Sequence, residues 1–171
     1  MSKGGDRARS IVSQGIIEPV KFADWAALIV PVMKSDKESV RICGDYKLTV
    51  NAASKLEQYP IPRVKDLFAT VAGGKFFTKL DMSHVYQQIE LDNVSKQYVV
   101  INTHKGIFRY NRLPLGVSSA PAIFQRVMES LLQGIPVAGV YLDDILVSGK
   151  TEKAHLKVLE QVLDHLEEAG L

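Results

Sequence analysis

The chain has 171 residues, 46% of them hydrophobic, a formal net charge of +2 and a single cysteine, Cys43. That apolar fraction can fill a core, which excludes a disordered chain; no stretch approaches the roughly 18 consecutive apolar residues of a membrane-spanning helix, and no apolar run follows the charged first ten residues as a signal peptide requires. One cysteine excludes an internal disulfide framework or a cysteine-built zinc cluster and fits a reducing, intracellular setting, cytoplasmic or nuclear; the small net charge says little about partners, so any basic groups that matter must be placed locally.

Two strands are expected first, Ala27 to Met33 and Val40 to Asp45, joined by the polar link 34–39, which suits a hairpin tip. Pro60 and Pro62 then force extended chain ahead of a helix from about Arg63 to Val71, ended by Gly73-Gly74. Phe76 to Asp81 has the aromatic and β-branched content of a strand, and a short helix follows through Val85 to Ile89. Gln97 to Thr103 and Ile107 to Asn111 form a hairpin around His104-Lys105-Gly106. Ser118 or Ser119 caps a helix with Pro121 in its first turn, an apolar face of Phe124, Val127, Met128, Leu131 and Leu132, and Gly134 beyond its end.

Val137 to Leu142 and Ile145 to Ser148 are apolar runs that flank Asp143-Asp144 at a hairpin turn. Thr151 caps a final helix whose expected inner stripe is Leu156, Leu159, Leu163 and Leu166, and Gly170 marks its end. Its acidic remainder, Glu152, Glu160, Asp164, Glu167 and Glu168, reads as a solvated outer face. The order is that of an α+β fold: an antiparallel sheet with helices packed on one face. It stops after a helix with no further strand to close the sheet, as in a truncated domain.

The sharpest chemical feature is the pair Asp143-Asp144 between apolar runs. Each isolated buried carboxylate costs several kcal/mol. The plain alternative is a tight turn with solvated aspartates, because Asp favours turns. Asp81 bears on the choice. It ends another strand-like run, where its plain reading is a helix N-cap. If the two strands are neighbours in one sheet, Asp81 meets Asp143 and Asp144, and three uncompensated charges require a cation. Mg²⁺ takes one or two protein carboxylates and completes its shell with water and phosphate oxygens. Two such ions roughly 4 Å apart activate an attacking hydroxyl and stabilise a leaving oxygen.

Tyr141-Leu-Asp-Asp144 resembles the Y-x-D-D signature of reverse transcriptases. Phe77-Thr-Lys-Leu-Asp81, continuing to Ile89, is similar to their first aspartate motif. Arg112-Leu-Pro-Leu-Gly116, continuing through Pro121 to Phe124-Gln125, resembles the L-P-x-G … P-A-x-F-Q block. Trp25 to Lys34 and Arg41 to Tyr46 are similar to the fingers hairpin. The blocks occur in order from about Gly15 onward, and the resemblance is to the polyproteins of gypsy-type long-terminal-repeat retrotransposons.

The resemblance implies a reverse-transcriptase-like fingers and partial palm, truncated before the thumb. Fingers would span 1–60 with 90–113 returning to them, and palm would span 61–89 and 114–171. Connection, ribonuclease H and integrase regions are not expected within the chain. It implies an RNA-directed DNA polymerase that adds deoxynucleoside triphosphates to a primer on an RNA or DNA template, with two Mg²⁺ ions that Mn²⁺ can replace. Asp81, Asp143 and Asp144 would be catalytic and hold the metals, joined by the Met82 carbonyl. Lys34 and Arg41 would bind the triphosphate, Arg by a forked contact and Lys as a point charge; exposed hairpin charge is their plain alternative. Ser83, His84, Val85, Tyr86 and Leu115 would line the nucleotide, with the Tyr86 ring excluding a 2′-hydroxyl unless it is a half-buried core tyrosine. Gly116, Gln125 and Tyr141 would meet template or primer. For Gly116 the alternative is a turn, and for Gln125 a solvent-facing helix position.

Two positions depart from the family pattern. Leu115 stands where glutamine or phenylalanine is common and cannot donate a hydrogen bond, and Ala27-Leu28 stands where a proline is common. Two other readings compete. One is a non-catalytic retroelement remnant that binds nucleic acid or a protein. The other is a small RNA-recognition sheet, for which Phe108 and Tyr110 are spaced as stacking aromatics but lack the surrounding motif.

Overall fold

The computed structural model describes residues 12–33 and 40–171. The chain divides into two compact units, one formed by residues 1–56 with 86–120 and the other by 57–85 with 121–171.

In the first unit, β1 (Ile17–Val20), β2 (Ala27–Met33), β3 (Val40–Asp45), β5 (Val100–Thr103) and β6 (Gly106–Tyr110) form a sheet in the order β1-β6-β5-β2-β3. All neighbours are antiparallel except β2 and β5, which run parallel through Ala27↔Ile101 and Leu28↔Asn102. β2 and β3 have the expected bounds. β1 was not expected; it contains Pro19 and lies at the sheet edge, where a missing N–H is tolerated. The expected strand at 97–99 is instead a 3₁₀ turn over Ser95–Tyr98, with β5 starting at Val100.

Ile17, Ala27, Tyr46, Val99, Ile101 and Tyr110 make the core of this unit. Burial pushes the Tyr110 hydroxyl up to about 12 and raises that of Tyr46 as well, so both stay neutral at any physiological pH. Glu18 on β1 accepts from Arg109 on β6, and this bond holds the Glu18 carboxyl below the usual range. The short helix α1 (Val50–Ala53) brings Asn51 against a loop 65 residues on. Asn51 donates to the Gly116 carbonyl at 2.8 Å and accepts from the Ser118 N–H at 2.8 Å.

In the second unit, β4 (Phe76–Asp81), β7 (Ala138–Tyr141) and β8 (Asp144–Gly149) form an antiparallel sheet in the order β4-β8-β7. The helix α2 (Val64–Thr70) starts after the two prolines, and the Arg63 N–H donates to Asp66 at its N-terminus. The helices α4 (Ala120–Leu131) and α5 (Glu152–Glu168) follow; the short helix α3 (Val85–Gln88) lies at the passage between units. Thr151 caps α5 by accepting from the Ala154 N–H at 3.2 Å, as expected.

α5 bears out part of the stripe read in the sequence, with Leu166 buried and Leu159 half-buried, but its inner face is turned from the rest. His155, Val158, Val162 and Leu166 face inward, whereas Leu156 and Leu163 are exposed. Both stripes satisfy helical periodicity. Contacts to the sheet select the first: the Thr78 hydroxyl lies 2.7 Å from His155 Nε2, and a Cβ on Gly149 would fall 2.6 Å from the His155 backbone. α2 adds a contact on the opposite sheet face. Ser148 donates to the Val71 carbonyl at 3.0 Å, and Leu67 fills the space a side chain at Gly139 would need.

Phe124 and Met128 of α4 are fully buried, as are Ile145 and Val147 of β8. Phe124→Ala is expected to cost about 3–5 kcal/mol, through lost burial and a residual cavity, read as a lower urea midpoint at unchanged slope.

Candidate active site

The β7–β8 hairpin is closed by the pair Tyr141↔Asp144, so its loop is Leu142-Asp143. Two-residue hairpins need left-handed backbone and normally use glycine, asparagine or aspartate for it. Here a leucine does so, with Leu142 at φ 51°. For a residue with a Cβ this costs on the order of 1–2 kcal/mol, and hydrogen bonds from two sides hold it. The Leu142 N–H donates to Gln125 Oε1 at 2.9 Å, and the Met82 N–H donates to the Asp143 carbonyl at 3.0 Å. Gln125 Nε2 in turn donates to the Val140 carbonyl at 2.9 Å and to Glu129 Oε1 at 2.7 Å. The other Glu129 oxygen accepts from the Tyr59 hydroxyl.

The antiparallel register sets Asp81 directly opposite Asp144. Directly opposed residues share a sheet face with Cβ atoms about 4.5–5.5 Å apart, and like charges there repel. Tyr141 is opposite Asp144 on the other side, so it shares that face. So does Lys79, two residues before Asp81 on β4. Its ammonium lies 2.8 Å from Asp144 Oδ2. Asp144, by hydrogen bond and then by charge, with a further contribution from Asp81, holds the Lys79 ammonium above the usual lysine range. Both partners are substantially exposed, so solvent screens the pair.

Among the described residues, no three His, Cys, Asp or Glu side chains draw together closely enough to hold a metal ion. The expected convergence is therefore narrower than three carboxylates forming a cage. Asp81 and Asp144 are paired, Asp143 stands at the adjoining turn, and a lysine ammonium occupies the cation position on Asp144. This donor set still fits Mg²⁺, which needs only one or two protein carboxylates when water and substrate phosphates supply the rest.

The other expected site residues fall in both units. Lys34 lies outside the described residues, and Arg41 sits on β3 opposite Val32. Ser83 and His84 are exposed, with His84 in left-handed conformation at φ 55°, and Tyr86 is half-buried on α3. Two expectations need correction. Val85 is 6% exposed and its side chain belongs to the core, so it cannot line a nucleotide pocket by side-chain contact. Gln125 is neither a template contact nor a solvent-facing residue. It is wholly buried, and both ends of its carboxamide are bonded within the unit.

Leu115 is half-buried beside Gly116, which has φ 102°, and a Cβ on Gly116 would overlap the Gly44 carbonyl oxygen. The close approach made by Gly116 is thus to backbone of its own unit. Sequence reasoning missed Lys79, Asn51, Glu129 and Tyr59. Strand alternation from Asp81 could have found Lys79; the other three act across 65 to 70 residues or through a buried amide, and nothing local marks them.

The family profile for reverse transcriptase (RNA-dependent DNA polymerase) matches residues 32–171. Among curated relatives, an uncharacterized protein of Caenorhabditis elegans is 38% identical over 157 residues, covering 91% of this chain and 12% of its own length. The retrovirus-related Pol polyprotein from transposon 412 of Drosophila melanogaster is 33% identical over 171 residues, covering 96% of this chain and 14% of the polyprotein. Among solved structures, the foamy viral protease-reverse transcriptase in complex with an RNA/DNA hybrid is similar with a TM-score of 0.86 and 26% identity, over 98% of this chain and 22% of that one. A second, in complex with double-stranded DNA, has a TM-score of 0.84 and 29% identity, over 93% of this chain and 28% of that one. The chain spans 12% to 14% of these curated relatives, and the transposon relative agrees with the gypsy-type resemblance. With the profile match over residues 32–171 and relatives above 30% identity along more than nine-tenths of its length, the chain belongs to the reverse transcriptase family.

Proposed function

We propose that this chain is the fingers and part of the palm of a retrotransposon RNA-directed DNA polymerase, which joins deoxynucleotides to a primer 3′-hydroxyl opposite an RNA or DNA template. The unit holding β1, β2, β3, β5 and β6 corresponds to fingers, and the unit holding β4, β7 and β8 to palm. The observation that carries this reading is the register that opposes Asp81 to Asp144 beside the turn bearing Asp143. Similar proteins in complex with an RNA/DNA hybrid and with double-stranded DNA support a nucleic-acid partner.

In this reading Asp81 and Asp143 hold a pair of Mg²⁺ or Mn²⁺ ions, with Asp144 in support and the Met82 carbonyl as a further oxygen. Bound there, the ions supply Lewis-acid activation of the primer hydroxyl and stabilisation of the leaving oxygen. The residues of the chain do the rest. Lys34 and Arg41 neutralise the triphosphate, and the Tyr86 ring closes off the space a 2′-hydroxyl would need. Tyr141, on the face shared with both aspartates, contacts the primer end. Most of the rate comes from this positioning and from fixed charge.

Single-nucleotide extension of a labelled primer on RNA and DNA templates, with and without Mg²⁺, tests the proposal. Metal-dependent, template-directed addition is expected. Extension that needs no divalent metal would sink it.

The second reading, a silent remnant that binds nucleic acid or protein, has one observation on its side: Asp144 is already neutralised by Lys79. Lys79→Gln separates the two. If the site binds metal, removing the competing ammonium should tighten Mn²⁺ about two- to fivefold, the equivalent of an exposed ion pair of ~0.5–1 kcal/mol. A remnant shows no Mn²⁺ binding in either form.

A further inference from the structure

We propose that Glu129 and Tyr59 are positioning residues for the carboxylate-bearing turn, acting through the buried carboxamide of Gln125. The proposal rests on the functional reading above for its consequence, though not for its geometry. Leu142 adopts a left-handed conformation with no intrinsic preference for it, and the bond from its N–H to Gln125 Oε1 is the side-chain contact that holds it. That bond forms only if the carboxamide oxygen, not its nitrogen, faces the turn. An amide has an oxygen end and a nitrogen end of nearly equal size, so its direction is set by its partners.

Two acceptors lie at the nitrogen end, the Val140 carbonyl and Glu129 Oε1. Glu129, as a carboxylate, only accepts, and a reversed amide would set oxygen against oxygen there. Tyr59 donates its hydroxyl to the other Glu129 oxygen and so fixes the carboxylate from outside the helix. The chain of contacts runs from the proline-rich entry to the unit, through one turn of α4, to the backbone of Leu142. It ends beside Asp143 and Asp144 without touching either carboxylate. Such links between distant segments fix a loop that local sequence disfavours.

The test measures amide hydrogen exchange in the whole 171-residue chain, comparing Leu142 with Ile145 and Val147 in the adjoining strand. Glu129→Leu should speed exchange at Leu142 at least fivefold more than at Ile145 and Val147. Tyr59→Phe, a milder change that keeps the ring, should do the same to a lesser degree. Glu129→Gln, whose carboxamide oxygen can accept from Gln125 Nε2 while its NH2 group donates to the Tyr59 hydroxyl, should restore near-wild-type protection. Equal acceleration at all three amides, or none at Leu142, would overturn the proposal, since a merely structural loss loosens the whole sheet together. Should Glu129→Leu fail to fold, Tyr59→Phe decides by the same comparison.

Mn²⁺ affinity measured on the same proteins is expected to fall severalfold in Glu129→Leu and to recover in Glu129→Gln. Unchanged Mn²⁺ affinity in Glu129→Leu with Leu142 loosened would overturn the link to the carboxylates. Absence of Mn²⁺ binding in the wild-type chain would instead overturn the two-metal reading, and the exchange comparison would still decide the positioning chain.

Discussion

Asp143→Asn should reduce metal-dependent single-nucleotide addition about a thousandfold and leave the fold intact. The side chain is exposed at a turn, and the turn's tie to β4 runs through the residue 143 carbonyl, which the substitution keeps. An asparagine of the same shape removes one charge and one hard oxygen ligand. If that weakens transition-state stabilisation by ~4 kcal/mol, the rate falls by roughly three decades at about 1.4 kcal/mol per decade. Urea denaturation should show a midpoint close to wild type, so that lost activity is not lost structure. Near-normal extension by this variant would mean that Asp143 does not hold a metal.

Gly116→Ala should destabilise the chain by about 3–5 kcal/mol, a large part of the ~5–15 kcal/mol that holds a domain of this size together. Two effects combine. The backbone at φ 102° is one that residues with a Cβ rarely adopt, at a cost of about 1–3 kcal/mol. The added Cβ would also overlap the Gly44 carbonyl oxygen, which belongs to β3 and cannot rotate away. Gly106→Ala supplies the control, because Gly106 has a similar φ of 116° with open space around it. That variant bears only the backbone cost. Denaturation midpoints that match for the two variants would show that the approach of Gly116 to Gly44 contributes nothing.

Legibility in the sequence followed the range of the forces involved. β2, β3 and β4 have the expected bounds, and the hairpin around Asp143, the Thr151 cap and the glycine after α5 were all readable, since alternation, turn chemistry and capping act over a few residues. β1 was not read, and its Pro19 is tolerable because the strand lies at the sheet edge, a place that pairing decides. The stripe read in α5 and the one it buries share Leu166 and both fit helical periodicity. The choice was made by Thr78 and Gly149 on the sheet, which no reading of the helix alone contains. Gln125 was misread because a polar residue in an apolar run is by default solvent-facing; here the strained turn beside it supplies the partners that make burial favourable.

By itself the sequence determined the kind of fold, the positions of the three aspartates at strand ends and a turn, and the family to which those motifs belong. Tertiary structure alone decided that Asp81 stands opposite Asp144, that Lys79 neutralises it and that Gln125 turns inward to hold Leu142. The physical reason is that strand register and side-chain partners are settled by contacts across some 15 to 65 residues, where a slip of one position reverses every face.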